Sequence, residues 1–269
     1  MKSKKKYAEK FVGITPKDYE KLEDRHKKVL DIFSQTLGKF DQNASQYKFE
    51  RILDVGCGDG NFSVLLKEAC KAKEVYGIEI SEKGAEMARK NGVKCYQLDV
   101  DEENFPFEDN YFDAIFAGEI IEHLYDTDHF LDEIYRVLKP NGILVLTTPN
   151  LACWQNRIAL LLGFQPYATT VSLRYRIGHL SGDSDLLPEE IIQGRRHISV
   201  FTLKALLKLL EIYKFDVIQI KGTPIKLPKY MKFSNFLGVI SGMIDKIASF
   251  LCPSICPQII VVSRKRSGC

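Results

Sequence analysis

The sequence lacks a regular spacing of cysteines. Its seven cysteines are an odd number, with Cys57 inside a glycine-rich turn and Cys70 and Cys95 in apolar surroundings. Cys252 and Cys256 lie close together, but no second Cys/His pair follows at zinc-finger spacing. These features argue against a disulfide framework and predict reduced, packed thiols in a cytoplasmic protein.

A long, uninterrupted apolar run is also missing. No apolar stretch follows the lysines near residue 1, so no secretory signal is expected. The most apolar late segment, residues 233–256, contains Asp245 and Lys246. In a spanning helix these charges would lie near mid-bilayer, at a cost of roughly several kcal/mol. We therefore predict an amphipathic helix or an apolar helical lid at residues 228–256.

The chain has no strong charge of one sign. Its net charge is +3 over 269 residues, and we interpret the basic residues near both ends as solvated termini. The composition is 45% hydrophobic and 27% charged, which is ordinary for a globular protein. The chain is long enough for one large domain, and its charge does not indicate a nucleic-acid partner.

The sequence does contain a regular alternation of apolar strands and amphipathic helices. This pattern predicts right-handed βαβ units and a mainly parallel, doubly wound α/β sheet. The strands are predicted at residues 51–55, 74–80, 93–98, 111–117, 143–148, 215–221 and 258–263. The helices are predicted at 17–37, at 61–70, from a Ser81 cap to 91, from an Asp126 or Thr127 cap to 138, at 154–162 and from a Thr202 cap onward. Pro140-Asn141-Gly142 is expected to stop the helix that ends at Leu138.

Two segments interrupt this alternation. The first is an N-terminal helical extension at residues 1–46, which precedes the main domain at residues 47–269. The second is a long irregular insertion at residues 151–196, after the fifth strand; long ordered loops are usually functional. We predict that the insertion lines the acceptor pocket, because aromatic and arginine side chains suit stacking and anion pairing; a packed cap with a solvated rim is the alternative. The candidate pocket residues are Trp154, Arg157, Tyr167, Arg174, Tyr175 and His179.

The most informative motif is the glycine turn Leu53-Asp54-Val55-Gly56-Cys57-Gly58-Asp59-Gly60, which joins a strand to a helix. Its glycines let a ligand approach the main chain, and the N–H groups that begin the helix face that ligand. Glu79 ends the second strand, where a carboxylate accepts from ribose hydroxyls. Asp99 ends the third strand, where it can accept from an adenine amino group. The motif therefore predicts a nucleoside site at the carboxyl edge of the sheet.

The spacing of the turn favours one cofactor over another. It reads G-x-G-x-G after Asp54, whereas dinucleotide sites read G-x-G-x-x-G and bring N–H groups to a pyrophosphate. An acid before the turn suits a ligand with an amino group and a sulfonium. This argues for S-adenosylmethionine (SAM) over NAD.

With these motifs the chain resembles a class I SAM-dependent methyltransferase. The matching elements are Leu53 to Gly60, Glu79, Leu98-Asp99-Val100, Phe112-Asp113, and Leu138 to Gly142. The resemblance implies a seven-stranded sheet of order 3-2-1-4-5-7-6 with strand 7 antiparallel. It also implies that the glycine turn holds the methionine end of SAM, that the second strand end holds the ribose, and that the third flanks the adenine. The implied cofactor residues are Asp54, Gly56, Cys57, Gly58, Gly60, Glu79, Ile80, Asp99, Val100 and Gly118, the last closing over SAM.

A second motif, Glu119-Ile120-Ile121-Glu122-His123, follows the fourth strand. This E-x-x-E-H pattern is similar to the ubiquinone-pathway O-methyltransferases and the small-RNA ribose methyltransferases, which hold a divalent metal with it and a distant histidine. His197 lies in a segment that resembles the one carrying that histidine. The chain lacks the RNA-binding parts, and its 149–166 segment resembles uncharacterised prokaryotic methyltransferases.

Helical spacing would place Glu119, Glu122 and His123 on one helix face. With His197 they would suit a divalent ion such as Mg²⁺, which lowers the pKa of a bound hydroxyl. Without a metal, His123 or His197 is the candidate general base. The structural alternative is that Glu122 and His123 only brace the helix and that His197 orients a loop.

These observations lead to three functional hypotheses. The first is an O-methyltransferase acting on a hydroxyl of a glycan, lipid-linked or small aromatic acceptor. The second is an N- or C-methyltransferase of small molecules; Ala117-Gly118-Glu119-Ile120 departs from the Asn/Asp-Pro-Pro-Tyr/Phe motif of many N-methyltransferases. The third is a non-catalytic SAM-binding module or a peripheral membrane protein, suggested by apolar residues between Phe236 and Phe250. The acceptor's identity and the oligomeric state stay open.

Overall fold

Strands and helices alternate along the chain in the computed structural model, which describes residues 22–36, 49–169, 171–172, 175, 177–180, 182–183, 197–223 and 252–267. The helices are α1 (Asp24–Thr36), α2 (Asn61–Ala69), α3 (Glu82–Lys90), α4 (Thr127–Val137), α5 (Trp154–Leu161) and α6 (Leu203–Ile212), with 3₁₀ turns at Ile121–His123 and Pro253–Ile255. The strands are β1 (Phe49–Val55), β2 (Ala72–Glu79), β3 (Lys94–Gln97), β4 (Phe112–Gly118), β5 (Leu138–Pro149), β6 (Phe215–Thr223) and β7 (Gln258–Lys265).

The seven strands form one sheet of order β3-β2-β1-β4-β5-β7-β6. The pairs β1–β2, β1–β4, β2–β3 and β4–β5 are parallel. β7 runs antiparallel to both β5 and β6. The predicted fold class, strand order and antiparallel seventh strand are therefore confirmed.

Alternate residues of each central strand pack into two different cores. Leu144 and Leu146 of β5 face the core that α4 and α6 cover. Ile143 and Val145 of the same strand face the core that α1, α2 and α3 cover. Because side chains alternate along a strand, apolar residues at every position are required when helices cover both faces. This burial fixes the sheet, so its carboxyl edge is a rigid platform for the loops that follow.

The helix α1 contributes directly to the core of the sheet. Its Val29, Ile32 and Phe33 are each no more than 4% exposed. The Lys28 ammonium donates to the carbonyl of Gly222 at 2.6 Å, at the end of β6. The described part of the N-terminal extension thus covers one face of the sheet; residues 1–21 and the predicted boundary at 46 lie outside the described residues.

The predicted end of α4 agrees with the structure within one residue, but the predicted start of β5 at residue 143 was wrong. We expected the helix to continue to Leu138 and to stop at Pro140-Asn141-Gly142, but it ends at Val137 and β5 begins at Leu138. Asn141 has a left-handed φ of 62°, and the β4–β5 register shifts between Phe112 and Ala114. The buried Lys265 ammonium donates to the carbonyl of Leu138 at 2.7 Å. Pro140, Asn141 and Gly142 therefore form an irregularity within β5. Lys265, which is distant in sequence, donates to the carbonyl that follows the end of α4.

Other boundaries agree with the sequence-based predictions within a few residues. The Ser81, Asp126 and Thr202 caps are confirmed, since each side chain accepts a backbone N–H bond at the start of its helix. Most of the proposed lid at residues 228–256 falls outside the described residues, as does Arg174. Among the helices that the structure describes, none is long and apolar enough to cross a membrane.

Candidate functional site

The glycine turn between β1 and α2 is a tight bend held by the neighbouring strand. Gly56, Gly58 and Gly60 have left-handed φ values of 79°, 55° and 77°. The N–H groups of Gly56 and Cys57 both donate to the carbonyl of Ile78 in β2, at 2.8 and 3.0 Å. The turn is therefore anchored to β2.

Two of these glycines are required for different reasons. A Cβ at Gly60 would lie 2.8 Å from the Cα of Ala88, so this glycine permits close packing of the turn against α3. A Cβ at Gly58 would meet no atom within 4 Å. Because a side chain at Gly58 would meet open space, a ligand can approach the main chain here, on the side opposite the N–H that donates to Glu79.

Asp54, at the end of β1, is buried beneath the turn. Its Oδ2 accepts from the Ser63 hydroxyl at 2.6 Å. Burial raises the pKa of this carboxyl to about 7; the Ser63 bond opposes the shift and nearby Glu79 adds to it. Asp54 therefore lies where an added positive charge would favour its ionised form.

Glu79, at the end of β2, closes the turn from the other side. Its Oε2 accepts from the N–H of Gly58 at 2.9 Å, and its Oε1 accepts from the N–H of Ser81 at 2.8 Å. Burial raises the pKa of Glu79, while the bonds from Ser81 and Gly58 lower it. The carboxylate thus lies beside the turn, as the nucleoside-site prediction requires.

Asp99 and Val100 follow β3 and are 7% and 6% exposed. The Asp99 Oδ1 accepts from the N–H of Asp101 at 3.1 Å. Asp101 in turn accepts from the N–H groups of Tyr125 and Asp126, at 2.9 and 3.0 Å from its Oδ1. These bonds tie the loop after β3 to the loop after β4, so the edge of the sheet is fixed on both sides of the turn.

Three further predicted cofactor residues lie around this edge. Cys57 is buried with its Sγ 3.5 Å from the Sγ of Cys95, and the cysteines in the described part of the chain are free thiols. The carbonyl of Ile80 accepts from the Gln97 side chain at 3.4 Å. A Cβ at Gly118 would lie 2.4 Å from the Phe116 ring, which gives this glycine a packing requirement of its own.

Glu119 does not lie on a helix with Glu122 and His123, so that prediction was wrong. Its φ is 54°, and only Ile121–His123 form a 3₁₀ turn. Its Oε1 accepts from Thr147 at 3.0 Å; its Oε2 accepts from Gln258 at 3.0 Å and pairs with Arg25 at 2.9 Å. A left-handed residue between the strand and the turn breaks the helical register. Glu119, which follows β4, thus connects α1 to β5 and β7.

Glu122, His123 and His197 do come together. One ligand atom from each lies within 4.8 Å of the other two, and the imidazole centroids are 5.0 Å apart. Glu122 is 1% exposed, and burial raises its pKa well above the usual range, with a further contribution from Glu119. Its Oε2 accepts from Thr148 at 3.0 Å, whereas its buried Oε1 accepts no hydrogen bond from the described residues. This oxygen lies 4.0 Å from the Nε2 of His123.

Backbone contacts bring His197 to this position. The N–H groups of Ile198 and Ser199 both donate to the carbonyl of Glu122, at 2.7 and 3.1 Å. The Nδ1 of His197 lies 2.8 Å from the carbonyl oxygen of Ala168. Because a carbonyl can only accept, Nδ1 carries the proton, and the lone pair of the neutral ring is on Nε2. His197 is thus oriented as a base or as a metal ligand.

The predicted acceptor-side residues lie near this group only in part. Ala168, which orients His197, follows Tyr167, whose N–H donates to the Asn156 side chain at 2.6 Å. His179 is 5% exposed and pairs with Gln165 through an isolated bridge. Arg157 is exposed and Tyr175 is 45% exposed. Tyr167 and His179 are thus placed by the fold, whereas Arg157 and Tyr175 extend to the surface.

Sequence reasoning missed Ser63 and Arg25. Each lies on a helix at a position where a polar residue looks like part of a solvated face, yet Ser63 contacts the buried carboxyl of Asp54 and Arg25 contacts the partly buried carboxylate of Glu119. Asp59 was missed as well: its Oδ1 accepts from the N–H of Asn61 at 3.1 Å and so caps the turn. An Asp two residues before a helix start is a signal that could have identified it.

Comparison with known proteins agrees with this geometry. Residues 53–146 match the family model described as "Methyltransferase domain". A probable S-adenosylmethionine-dependent methyltransferase, MT3114, of Mycobacterium tuberculosis is 30% identical over 99 residues, covering 37% of this chain and 35% of that protein. The 27-O-demethylrifamycin SV methyltransferase of Amycolatopsis mediterranei is 35% identical over 106 residues, covering 36% and 38%. Matches to the curated relatives thus span as little as about a third of their length.

Among solved structures, an S-adenosylmethionine-dependent methyltransferase from Mesorhizobium loti has a TM-score of 0.55 at 15% identity, covering 92% of this chain and 100% of that one. A likeness at this identity establishes the fold. The chain therefore has the class I methyltransferase fold, and its residues 53–146 match the model of a methyltransferase domain. The family match and the homologues support SAM as the cofactor.

Proposed function

We propose that this protein transfers a methyl group from SAM to a hydroxyl oxygen of a glycan, lipid-linked or small aromatic acceptor. The observation that carries the proposal is the pairing of two features at one edge of the sheet. The glycine turn follows β1. Three carboxyl groups lie at or just after the ends of β1, β2 and β3, namely those of Asp54, Glu79 and Asp99. The imidazoles of His123 and His197 lie beside the loop after β4.

The cofactor half of the site matches SAM in charge and shape. SAM carries a positive ammonium and sulfonium, and Asp54 is a buried carboxyl whose pKa of about 7 would fall beside such a charge. We assign the Glu79 carboxylate to the ribose hydroxyls and Asp99 to the adenine amino group, because they follow the ends of the two strands beside the turn and carboxylates accept such bonds. Gly58 leaves the space in which the methionine part can contact the backbone.

The acceptor half supplies a base for a hydroxyl. Methyl transfer to oxygen requires that the acceptor lose a proton as its lone pair attacks the methyl carbon. His197 holds its own proton on Nδ1 against the Ala168 carbonyl, so its Nε2 can accept the acceptor's proton. Glu122 is buried beside the two imidazoles, whereas His123 and His197 are half-buried and so remain accessible to an acceptor.

A divalent metal at this group is a variant of the same proposal. The fit rests on the buried Oε1 of Glu122, which accepts no hydrogen bond from the described residues and lies 4.0 Å from the Nε2 of His123. One carboxylate and two imidazoles suit a borderline ion such as Zn²⁺ or Fe²⁺ better than Mg²⁺, which prefers oxygen ligands. When bound, the ion would lower the pKa of a coordinated hydroxyl. Glu119 is engaged by Arg25, Thr147 and Gln258 and is not part of this ligand set.

One relative supports the choice of oxygen by its name, since the Amycolatopsis protein is a 27-O-demethylrifamycin SV methyltransferase. The absence of an Asn/Asp-Pro-Pro motif after β4 also disfavours many kinds of N-methylation. A C-methyltransferase or a non-catalytic SAM-binding module is the alternative that the experiments below address.

Isothermal calorimetry with SAM and S-adenosylhomocysteine tests the cofactor half. We expect micromolar or tighter binding, and the absence of heat for both ligands would contradict the proposal. Labelled SAM with extracts of host lipids, glycans and phenolics tests the acceptor half, with products separated by alkali stability and mass. An O-methylated product that His197→Asn abolishes while SAM affinity stays the same is the expected result.

For the metal variant, Glu122→Ala is compared with chelation of the wild type. If a metal is used, both treatments lower turnover and neither changes SAM affinity. Unchanged turnover after both treatments would remove the metal from the proposal and leave the imidazole base in place. A SAM-binding protein with no product in any extract would favour the non-catalytic alternative.

A further inference from the structure

The first turn of α1 lies against the elements on either side of the glycine turn. The imidazole of His26 packs against the ring of Phe62, with the ring centroids 4.7 Å apart, and Phe62 is the second residue of α2. Its neighbour Arg25 pairs with Glu119, which directly follows β4, at 2.9 Å. Because the glycine turn joins β1 to α2 and β4 pairs with β1, these contacts place the first turn of α1 beside the cofactor half of the site.

One nitrogen of His26 is a buried donor. The Arg25 guanidinium lies 3.4 Å from the Nε2 of His26, and a guanidinium can only donate a hydrogen bond. Nε2 therefore carries the lone pair of the neutral ring, and Nδ1 carries the proton. Nδ1 is buried and contacts no acceptor among the described residues. Burial, with a further contribution from Arg25, lowers the pKa of His26 to about 3, so the ring keeps this neutral form near pH 7.

The Nδ1–H group of His26 thus requires an acceptor that the described part of the chain does not supply. A buried donor without an acceptor costs stability, and in native proteins such a group often has its partner in a ligand or a water molecule. SAM brings an acceptor of the right kind, because its methionine part ends in a carboxylate.

The glycine turn itself offers that carboxylate few donors. Four of the five N–H groups from Gly56 to Gly60 donate to other atoms of the protein. The two carboxyl groups beside the turn, those of Asp54 and Glu79, repel a further anion when they are ionised. The carboxylate of SAM therefore needs a donor from outside the turn, and His26 carries one on the helix that packs against α2.

From this donor and its place in the fold, we propose that His26 binds the carboxylate of SAM through its Nδ1–H group. A hydrogen bond to an ionised acceptor is stronger than one between neutral groups, so a single N–H group is enough to favour ligands that carry the carboxylate. The helix α1 is then part of the cofactor site as well as of the core. The contact requires that SAM binds at the glycine turn, and in this it rests on the proposed function; it does not depend on the acceptor.

Calorimetry with S-adenosylhomocysteine and with its decarboxylated analogue, S-adenosyl-3-thiopropylamine, tests the contact. The test variant is His26→Phe, which keeps an aromatic ring against Phe62 and removes the N–H group. His26→Asn retains a side-chain N–H donor and is the conservative variant. The matched control is Ser34→Ala, which removes an exposed donor further along the same helix.

The quantity to compare is the ratio of the affinity for S-adenosylhomocysteine to the affinity for the analogue. In His26→Phe this ratio should fall about tenfold or more relative to the wild type, since a hydrogen bond to a charged group is lost. The affinity for the analogue itself should stay the same. His26→Asn and Ser34→Ala should keep the wild-type ratio. Thermal unfolding checks that the variants are folded, and His26→Leu replaces His26→Phe where the larger ring disturbs α1.

Three results would overturn the proposal while leaving the proposed function intact. The ratio would be unchanged in His26→Phe, because both ligands bind as before or because both lose affinity equally. Alternatively, Ser34→Ala would lower the ratio as much as His26→Phe does, or His26→Asn would behave like His26→Phe. A wild-type protein that binds neither ligand would overturn the proposed function together with the role of His26.

Discussion

Glu79 on the cofactor side of the site and Glu122 on the acceptor side differ in how their buried carboxylate oxygens are hydrogen-bonded. Glu79 on the cofactor side accepts backbone N–H bonds at both of its oxygens. Glu122 on the acceptor side is equally buried but accepts a bond at Oε2 alone among the described residues. A buried polar atom without a hydrogen bond has a cost on the order of 1–3 kcal/mol, so it persists where function requires it. Glu79 is thus held in a fixed geometry by the turn, whereas Oε1 of Glu122, like Oδ2 of Asp99 after β3, accepts no hydrogen bond from the described residues.

We expect the largest effect on the free energy of unfolding at Gly60, where a side chain would disrupt the packing of the glycine turn against α3. Gly60→Val places a Cβ 2.8 Å from the Cα of Ala88 and forces a β-branched residue to a φ of 77°. The free energy of unfolding should fall by about 3–5 kcal/mol, combining overpacking and backbone strain. The control is Gly92→Val, whose φ is 88° but whose Cβ meets nothing within 4 Å. It should lose only about 1–2 kcal/mol in urea unfolding. Equal losses would show that the packing against α3 is not tight.

The titration of Asp54 tests whether ionising this buried carboxyl destabilises the protein when no cationic ligand is bound. Its pKa rises from 3.8 to about 7 on folding, so the folded protein holds one more proton than the unfolded chain between these values. Stability should therefore fall as pH rises from 4 to 7, by about 3–4 kcal/mol from this group. Asp54→Asn should remove that slope. The measurement is urea unfolding at pH 5 and pH 8, with Asp113→Asn as a variant outside the turn.

The same shift predicts a pH dependence of SAM binding. A cationic ligand beside Asp54 lowers its pKa, so binding near pH 6 should release a proton and the affinity should rise toward pH 8. Calorimetry in buffers of different ionisation enthalpy measures that proton. No proton release in the wild type would contradict the placement of a cationic group beside Asp54.

Replacing the two glutamates of the E-x-x-E-H motif by glutamine should affect folding stability differently: the change at Glu119 should lower it, and the change at Glu122 should not. Glu119→Gln loses an ion pair with Arg25, whose side chain is 16% exposed, and weakens two hydrogen bonds. We expect a loss of about 1–2 kcal/mol. Glu122→Gln replaces a carboxyl whose pKa burial raises, so at pH 8 the variant should be as stable as the wild type or more stable. Chemical unfolding of both variants decides this, and a larger loss for Glu122→Gln would contradict the contrast.

The smallest effect on folding stability is expected at Gly58. Gly58→Ala keeps its Cβ in open space, so its cost to folding is about 1 kcal/mol from a φ of 55°. Because we propose that the methionine part of SAM occupies that space, affinity should fall about tenfold or more. Calorimetry gives the affinity, and Gly92→Ala controls for the strain. A Gly58→Ala protein with wild-type affinity would show that SAM does not approach the turn there.

The sequence was sufficient to predict the strands, because apolar residues at successive positions specify a sheet covered on both faces. Leu144 and Val145 illustrate this, since they face opposite cores. The family resemblance then supplied the strand order. The boundary between α4 and β5 was not predictable, because Lys265, far along the chain, satisfies the carbonyls that end the helix.

The positions of Asp54, Glu79 and Asp99 along one edge of the sheet were predictable, because each lies at or just after the end of a strand; their roles toward SAM stay predictions. The prediction that Glu119 shares a helix face with Glu122 and His123 was wrong, because the sequence pattern does not reveal a left-handed φ at a residue other than glycine. The approach of His197 to Glu122 was inferred from resemblance alone. In the structure it depends on Ile198 and Ser199 donating to the Glu122 carbonyl, a contact across a long stretch of chain.

The position of β7 between β5 and β6 has a consequence for synthesis. Until residues 258–265 leave the ribosome, β5 and β6 each present an unpaired edge, and the nascent sheet has two surfaces able to pair with other chains. Chaperone engagement and aggregation in the cell should therefore be greatest for chains stalled between Thr223 and Gln258.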